Sequence, residues 1–177
     1  MIAMTDDTTI EAIRGCLERM RAEFSRWGEA YVKGPGLYVA VVERDVDEYA
    51  RPLGGNRWPV ERGTNVLEDG EAFYQAASAV AVHCDGAVVV RHDGTAHEQM
   101  VRFADLGDAV EVTPQYEDWM GTRHVSAVET STRPGVVATL TLSEETGRLT
   151  EFRDGRVMAW LPGVDEAEAP LSGVQLA

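Results

Sequence analysis

The chain has 177 residues, 44% of them hydrophobic, with 17 Gly and 7 Pro, a composition that excludes a disordered or fibrous protein and predicts one globular domain. Asp and Glu number 30 against 16 Lys and Arg, a formal net charge of −14 that argues against nucleic acid and anionic membranes as partners. Apolar runs fall far short of bilayer length, and the opening "MIAMTDDTTIEAIRG" carries acids where a signal peptide carries bases, so the expectation is a soluble, cytoplasmic chain.

Lys33 is the sole lysine. An acidic surface that uses arginine for lysine suits a halophilic cytoplasm, where a short Debye length screens self-repulsion. Cys16 and Cys84 are too few for a disulfide framework or a cysteine-built metal site, and they read as two buried free thiols.

In chain order, Ile10, Ile13, Leu17, Met20, Phe24, Trp27 and Tyr31 recur at spacings of three and four, which predicts one long amphipathic helix, with Thr8 and Glu11 as its capping box. "KGPG" at 33–36 stops it, and "LYVAVV" at 37–42 reads as a strand. From 43 to 69 the charges, Pro52, Pro59 and the Gly54-Gly55 pair suggest a long irregular connection with one short helix over 46–51. A second helix is predicted over 71–81. The apolar run 87–90, the turn "HDG" at 92–94 and a run ending at Phe103 predict a strand and its hairpin partner.

After a polar connection, a helix is predicted from Gly121-Thr122 through Thr132, where Pro134-Gly135 breaks it. A strong strand then follows at 136–142, and two shorter ones at 148–153 and 156–160. The acidic segment 161–177 is weakly patterned and is expected to be loosely held, leaving 1–160 as the domain. Helices alternating with strands, then hairpins, predict an α/β fold with a mixed central sheet flanked by helices.

Three short stretches carry chemistry. Thr122 is a good N-cap, so Arg123 and His124 would sit beside the open N–H groups of a helix start, an arrangement that suits a phosphate. The plainer alternative is a surface Arg paired with a carboxylate and a His satisfied in the core. Asp85 stands before Gly86 and Ala87, small residues that let a ligand approach the backbone, and its carboxylate can ligate a divalent cation or take a hydroxyl proton; an ordinary Asp-Gly turn is the alternative. Ser143, Glu144 and Glu145 end a strand, where one carboxylate can face a metal and an acidic hairpin tip is the alternative. Together the three complement a metal-bridged triphosphate, which needs cations, N–H donors and carboxylates.

At these residues the sequence resembles the diadenylate cyclase family. Its DGA motif reads Asp85-Gly86-Ala87, its RHR motif, usually preceded by Gly-Thr, reads Gly121-Thr122-Arg123-His124-Val125, and its SEE-T-G segment reads Ser143-Glu144-Glu145-Thr146-Gly147. The matching region is about 71–158. The resemblance implies condensation of two ATP molecules into cyclic di-AMP, a bound Mn2+ or Mg2+, and a site completed only when two copies of the chain face each other as a homodimer. By motif, Asp85 would bind the metal and activate a ribose 3′-hydroxyl, Gly86 and Ala87 would line the adenosine pocket, and Arg123 and His124 would hold phosphates. Gly121, Thr122 and Ser143 would line the nucleotide site, and Glu144 or Glu145 would complete metal ligation. The third RHR position is Val125, which removes a guanidinium, and 95–118 lacks the Leu-Pro-Leu-Ser-like stretch of bacterial members, as in a divergent, archaeal-type branch.

Overall fold

The computed structural model describes residues 3–62, 64–107, 110–164 and 173–176, with side chains from residue 7 onward. Helix α1 (Ala3–Glu23) buries Ile10, Ile13, Leu17 and Met20 as a single stripe. It begins ahead of Thr8 and Glu11, which lie inside the helix and form no capping box. The acids of the opening stretch favour the positive end of a helix dipole, which carries the helix start further back. It ends at Glu23, so Phe24, Trp27 and Tyr31 are not on it. The Trp27 indole instead donates to the Arg21 carbonyl at 3.0 Å, an acceptor of the kind a last helical turn leaves open, and packs where Gly34 and Gly147 have no Cβ. Tyr31 is fully exposed at a positive φ of 64°.

Strand β1 (Leu37–Val42) forms as its sequence predicts. The connection after it contains no helix over 46–51; a turn leads into β2 (Ala50–Arg57), a mostly exposed strand. Pro52 and the glycine pair are compatible with a strand there because it pairs along one edge only. Helix α2 (Gly70–His83) is capped by the Asp69 carboxylate, which accepts from the Ala72 N–H at 2.9 Å. Strands β3 (Val88–Arg91) and β4 (Gln99–Phe103) flank the predicted turn, and the chain folds back across it as predicted: the Arg91 N–H donates to the Thr95 carbonyl at 2.9 Å, the His97 N–H to that of Val89 at 2.8 Å, and Ala87 pairs with Val101; β4 also forms a ladder with β2. Helix α3 (Thr122–Thr130) ends two residues earlier than predicted. Then come β5 (Val136–Leu142), β6 (Leu149–Arg153) and β7 (Arg156–Leu161). The tail was expected to be loosely held, yet β8 (Val174–Gln175) pairs in parallel with β7. Of that expectation, 165–172 and 177 lie outside the described residues.

Among the described residues the main sheet runs β3-β1-β5-β6-β7-β8, with β1 parallel to β3 and antiparallel to β5, so the sheet is mixed and helices flank it. Every residue of β1 is buried, as a strand covered on both faces requires. Leu37, Val39 and Val41 join the core under α1 and α2; Tyr38, Ala40 and Val42 join a second core with Ala127 and Val128 of α3 and with Ala50, Val101 and Phe103 of the β2-β4 ribbon. Among the described residues no helix is long and apolar enough to cross a membrane.

One buried charge fastens α1 to the sheet. Glu151 on β6 is 3% exposed and is gripped by Arg14 of α1 and by Arg153, whose Nε lies 2.8 Å from it. Arg153 also reaches Asp7 at 3.0 Å. Removing one member of a buried charge cluster strands the others, so Glu151→Ala should lower unfolding free energy by about 3 kcal/mol in urea titrations. A loss below about 1 kcal/mol, the size of an exposed pair, would mean the clamp contributes little.

Cys16 and Cys84 are free and partly buried. Burial pushes the Cys16 thiol up to about 12, partly opposed by Arg19, so it stays protonated well above neutrality. At about pH 8.5, where an ordinary thiol is half ionised, iodoacetamide should leave Cys16 unmodified in the native chain and modify it in urea. Equal rates in both states, by peptide mass mapping, would contradict this.

Candidate functional site

Strand register places the site. β1 and β3 are parallel with Val39 beside Val88, so Tyr38 and Ala87 lie at the same edge of the sheet. β5 is antiparallel to β1 with Leu142 beside Leu37, so the residues after β5 emerge at that edge too. A cleft of about 540 Å3 opens there. Every residue singled out from the sequence lines it: Asp85, Gly86 and Ala87 on one wall, Gly121, Thr122, Arg123 and His124 on a second, Ser143, Glu144 and Glu145 on a third. Tyr38, Arg102, Phe103 and Trp119, which sequence reasoning did not pick out, line it as well.

On the first wall, Asp85 is exposed, and its carbonyl accepts from Asn56 at 2.7 Å. Ala87 exchanges both backbone hydrogen bonds with Val101, at 2.8 and 3.0 Å. Gly86 has φ of 101°, and a Cβ there would stand 2.5 Å from the Leu53 side chain and 3.0 Å from the Val101 carbonyl. Its glycine is therefore required by the close approach of β2 and β4, a protein contact that was not read from the sequence, while it also lines the cleft.

The second wall is the start of α3. Thr122 was expected as the N-cap, but Gly121 occupies that position and Thr122 is the first helical residue, with no side chain bonded across the cap. The first-turn N–H groups are thus left uncapped by any side chain beside Arg123, where an anion is favoured. Two side chains from the sheet hold the helix in place: the Tyr38 hydroxyl donates to the Ser126 carbonyl at 3.2 Å and the Thr139 hydroxyl donates to that of Ala127 at 2.7 Å. Burial pushes the Tyr38 phenol above its usual range, which keeps it a donor.

His124 is 9% exposed and stands edge-on to Trp119, ring centroids 4.8 Å apart at 77°. The Arg148 guanidinium, 3% exposed, lies 3.7 Å from the Trp119 ring and 5.1 Å from that of Trp160. This cation–π stack fixes the indole, and the indole fixes the imidazole.

On the third wall, the Ser143 hydroxyl accepts from the N–H groups of Glu145 and Thr146, both at 3.3 Å, which shapes the turn. The Glu144 carboxylate pairs with Lys33 at 2.9 Å and stands 3.9 Å from Arg123. The Arg123 guanidinium is 3.5 Å from the Leu142 carbonyl and remains 27% exposed. Hydrogen bonding to Glu144, then its charge, holds the Lys33 ammonium above its usual range. Gly36 makes the arrangement possible, since a Cβ there would lie 2.7 Å from Arg123 Nη1 and 2.8 Å from Glu144 Cβ. The sequence signal at Gly36 is the "KGPG" break, which marks a helix stop and says nothing of this contact.

Asp85 was expected to hold a metal together with Glu144 or Glu145. Among the described residues no group of three or more His, Cys, Asp or Glu side chains gathers as a metal site. Glu144 is committed to cations, while Asp85 and Glu145 line the cleft as carboxylates.

No protein-family model matches the chain, and no curated protein matches it. Solved structures do. A cysteine double mutant of DacA from Staphylococcus aureus superposes with a TM-score of 0.50 at 17% identity, covering 85% of each chain. A structure described as a hypothetical membrane spanning protein from Bacillus cereus gives 0.53 at 17% identity, covering 84% of this chain and 61% of that one. The likeness establishes a shared fold: a mixed central sheet flanked by helices.

The glycines of the cleft separate by role. Gly86→Ala meets both a positive φ and a clash, and should destabilise the chain by about 1–3 kcal/mol in urea unfolding. Gly121→Ala, with negative φ and open space around it, should cost about 1 kcal/mol or less. Equal losses at the two positions would refute this account of the first wall.

Proposed function

We propose that the chain is a diadenylate cyclase that condenses two ATP molecules into cyclic di-AMP. The observation carrying this reading is that three stretches far apart in sequence, around Asp85, Arg123 and Glu144, line one cleft of about 540 Å3, a volume suited to a nucleotide. The fold shared with DacA, a diadenylate cyclase, supports it.

In this reading the adenosine lies along Ala87, Tyr38 and Phe103, and the phosphates meet Arg123, His124 and the uncapped N–H groups of α3. Each ribose 3′-oxygen attacks the α-phosphorus of the other ATP; that O–P bond forms as the α–β bridging P–O bond breaks, and pyrophosphate leaves with the electron pair. The hydroxyl proton passes to the Asp85 carboxylate. Two such events close the ring and release two pyrophosphates. One cleft takes one nucleotide, so two copies of the chain must face each other, and most of the rate enhancement comes from that positioning. Asp85 and Glu145 would hold Mn2+ or Mg2+, which would supply charge neutralisation at the phosphates. Glu145 rather than Glu144 is assigned this part because Lys33 and Arg123 already occupy the Glu144 carboxylate.

A second reading, a noncatalytic nucleotide-binding relative, is favoured by Val125, where α3 presents an aliphatic side chain in place of a guanidinium. A charge-assisted contact of about 1.5–3 kcal/mol is absent there, roughly tenfold to a hundredfold in binding. Incubation with ATP and Mn2+ at high salt, read by mass spectrometry, should give cyclic di-AMP at a rate second order in protein when dilute. Asp85→Asn should reduce that rate to near zero. ATP binding by calorimetry with no product, and product restored by Val125→Arg, would establish the noncatalytic reading instead. Absence of ATP binding would overturn both.

A further inference from the structure

The β2-β4 ribbon carries Arg51, Arg57 and Arg102 and no acidic residue, in a chain of net charge −14. Arg51 and Arg102 stand directly opposite each other in its register. Like charges so placed work against strand pairing, and no carboxylate of the ribbon relieves them. Arg51 turns onto the carbonyls of Asp47, Glu48 and Ala50, and Arg57 onto those of Gly54 and Asn56. Arg102 behaves differently. It is exposed, it lines the same cleft as Asp85 and Arg123, and its side chain makes no hydrogen bond or ion pair among the described residues. Arg14, Arg19, Arg26, Lys33 and Arg153, by contrast, each hold a carboxylate.

The charge balance of the cleft gives this cation a purpose. Asp85, Glu144 and Glu145 supply three carboxylates to its lining, against which Arg123 is the other guanidinium, already drawn toward Glu144. Without Arg102 a polyanion would meet three acids and one shared cation. Val125 adds no charge from α3, so a second guanidinium has to arrive from another element.

We propose that Arg102 is a ligand-binding residue of the cleft, contacting the phosphate chain of the nucleotide from the β2-β4 ribbon while Arg123 contacts it from α3. The assignment rests on the nucleotide reading above. It makes Arg102 a charge kept for binding at some expense to the ribbon that carries it.

The test is calorimetric titration of the wild type, Arg102→Gln, Arg102→Lys and Arg51→Gln with ATP and with adenosine, each at low and high salt. Arg102→Gln should weaken ATP binding about tenfold to a hundredfold, leave adenosine binding unchanged and flatten the salt dependence. Arg102→Lys should recover part of the loss, and Arg51→Gln should leave ATP affinity alone. Thermal melting of Arg102→Gln should occur no lower than wild type, because the opposed like charges are gone. Unchanged ATP affinity in Arg102→Gln overturns the proposal, and so does an equal loss for ATP and adenosine, which would mark a packing role. A wild type that binds no ATP overturns the nucleotide reading itself, an outcome separable from the other two because no variant is needed to see it.

Discussion

The pairing of β1 is the constraint on which the cleft depends. Because β1 is parallel to β3 and antiparallel to β5, the start of two strands and the end of a third meet at one edge. Register matters as much as direction. Alternate residues of β1 serve two different cores, so a slip by one position would exchange Tyr38 for Val39 on the α3 side and lose the hydroxyl that holds Ser126. The helix start, and Arg123 with it, is therefore located by the same apolar alternation that makes β1 a central strand. Packing two cores on the two faces of one strand is what fixes that register.

Electrostatics then decides which groups remain available at that edge. In so acidic a chain an arginine near two glutamates would ordinarily be neutralised by them. Lys33 takes the Glu144 carboxylate at 2.9 Å and leaves Arg123 at 3.9 Å from it, so the sole lysine competes with Arg123 for its nearest acid. The Lys33 pair is two-thirds exposed on the lysine side, where solvent screens it, so it adds little to stability. Its consequence is positional: it draws Glu144 to the rim and keeps the Arg123 fork partly open. Gly36 provides the room, since any side chain there would meet both groups.

The legible parts of the sequence were those whose signal is local. β1, β5 and α2 follow from runs of β-branched or small apolar residues bounded by clear stops, and the mixed α/β arrangement follows from their order. The stretches around Asp85, Arg123 and Glu144 could be read because small residues, a helix start and a strand end each have a short-range signature. What failed was long-range. Apolar spacing continued through Phe24, Trp27 and Tyr31, but Trp27 was matched to Gly34 and Gly147 rather than to a helix face. β2 was hidden because an exposed ribbon strand with Pro52 and two glycines has no alternation to read, so the ladder β4 forms with it was not legible beside the hairpin with β3. Arg102, Trp119 and Arg148 gave no pattern at all, because their roles exist only once distant segments meet.

The glycines and the buried arginine show how the same chemistry serves different ends in one cleft. Gly86 is required by Leu53, Gly36 by Arg123 and Glu144, and Gly121 leaves the helix start without a side-chain cap. Gly86 and Gly121 line the cleft itself, and Gly36 acts on it through Arg123 and Glu144. Arg148 gives up water to sit between Trp119 and Trp160, a desolvation cost that aromatic faces and neighbouring polar groups must offset. Its effect is transmitted through Trp119 to His124, so a guanidinium that does not line the cleft orients an imidazole that does. Cations at this edge thus divide between those consumed by the scaffold, Arg148 and Lys33, and those turned toward the opening, Arg123 and Arg102. The division follows from burial and pairing, since a guanidinium stacked between indoles has no freedom to follow a ligand, whereas one at the rim does when it has no carboxylate, like Arg102 among the described residues, or only one at 3.9 Å, like Arg123.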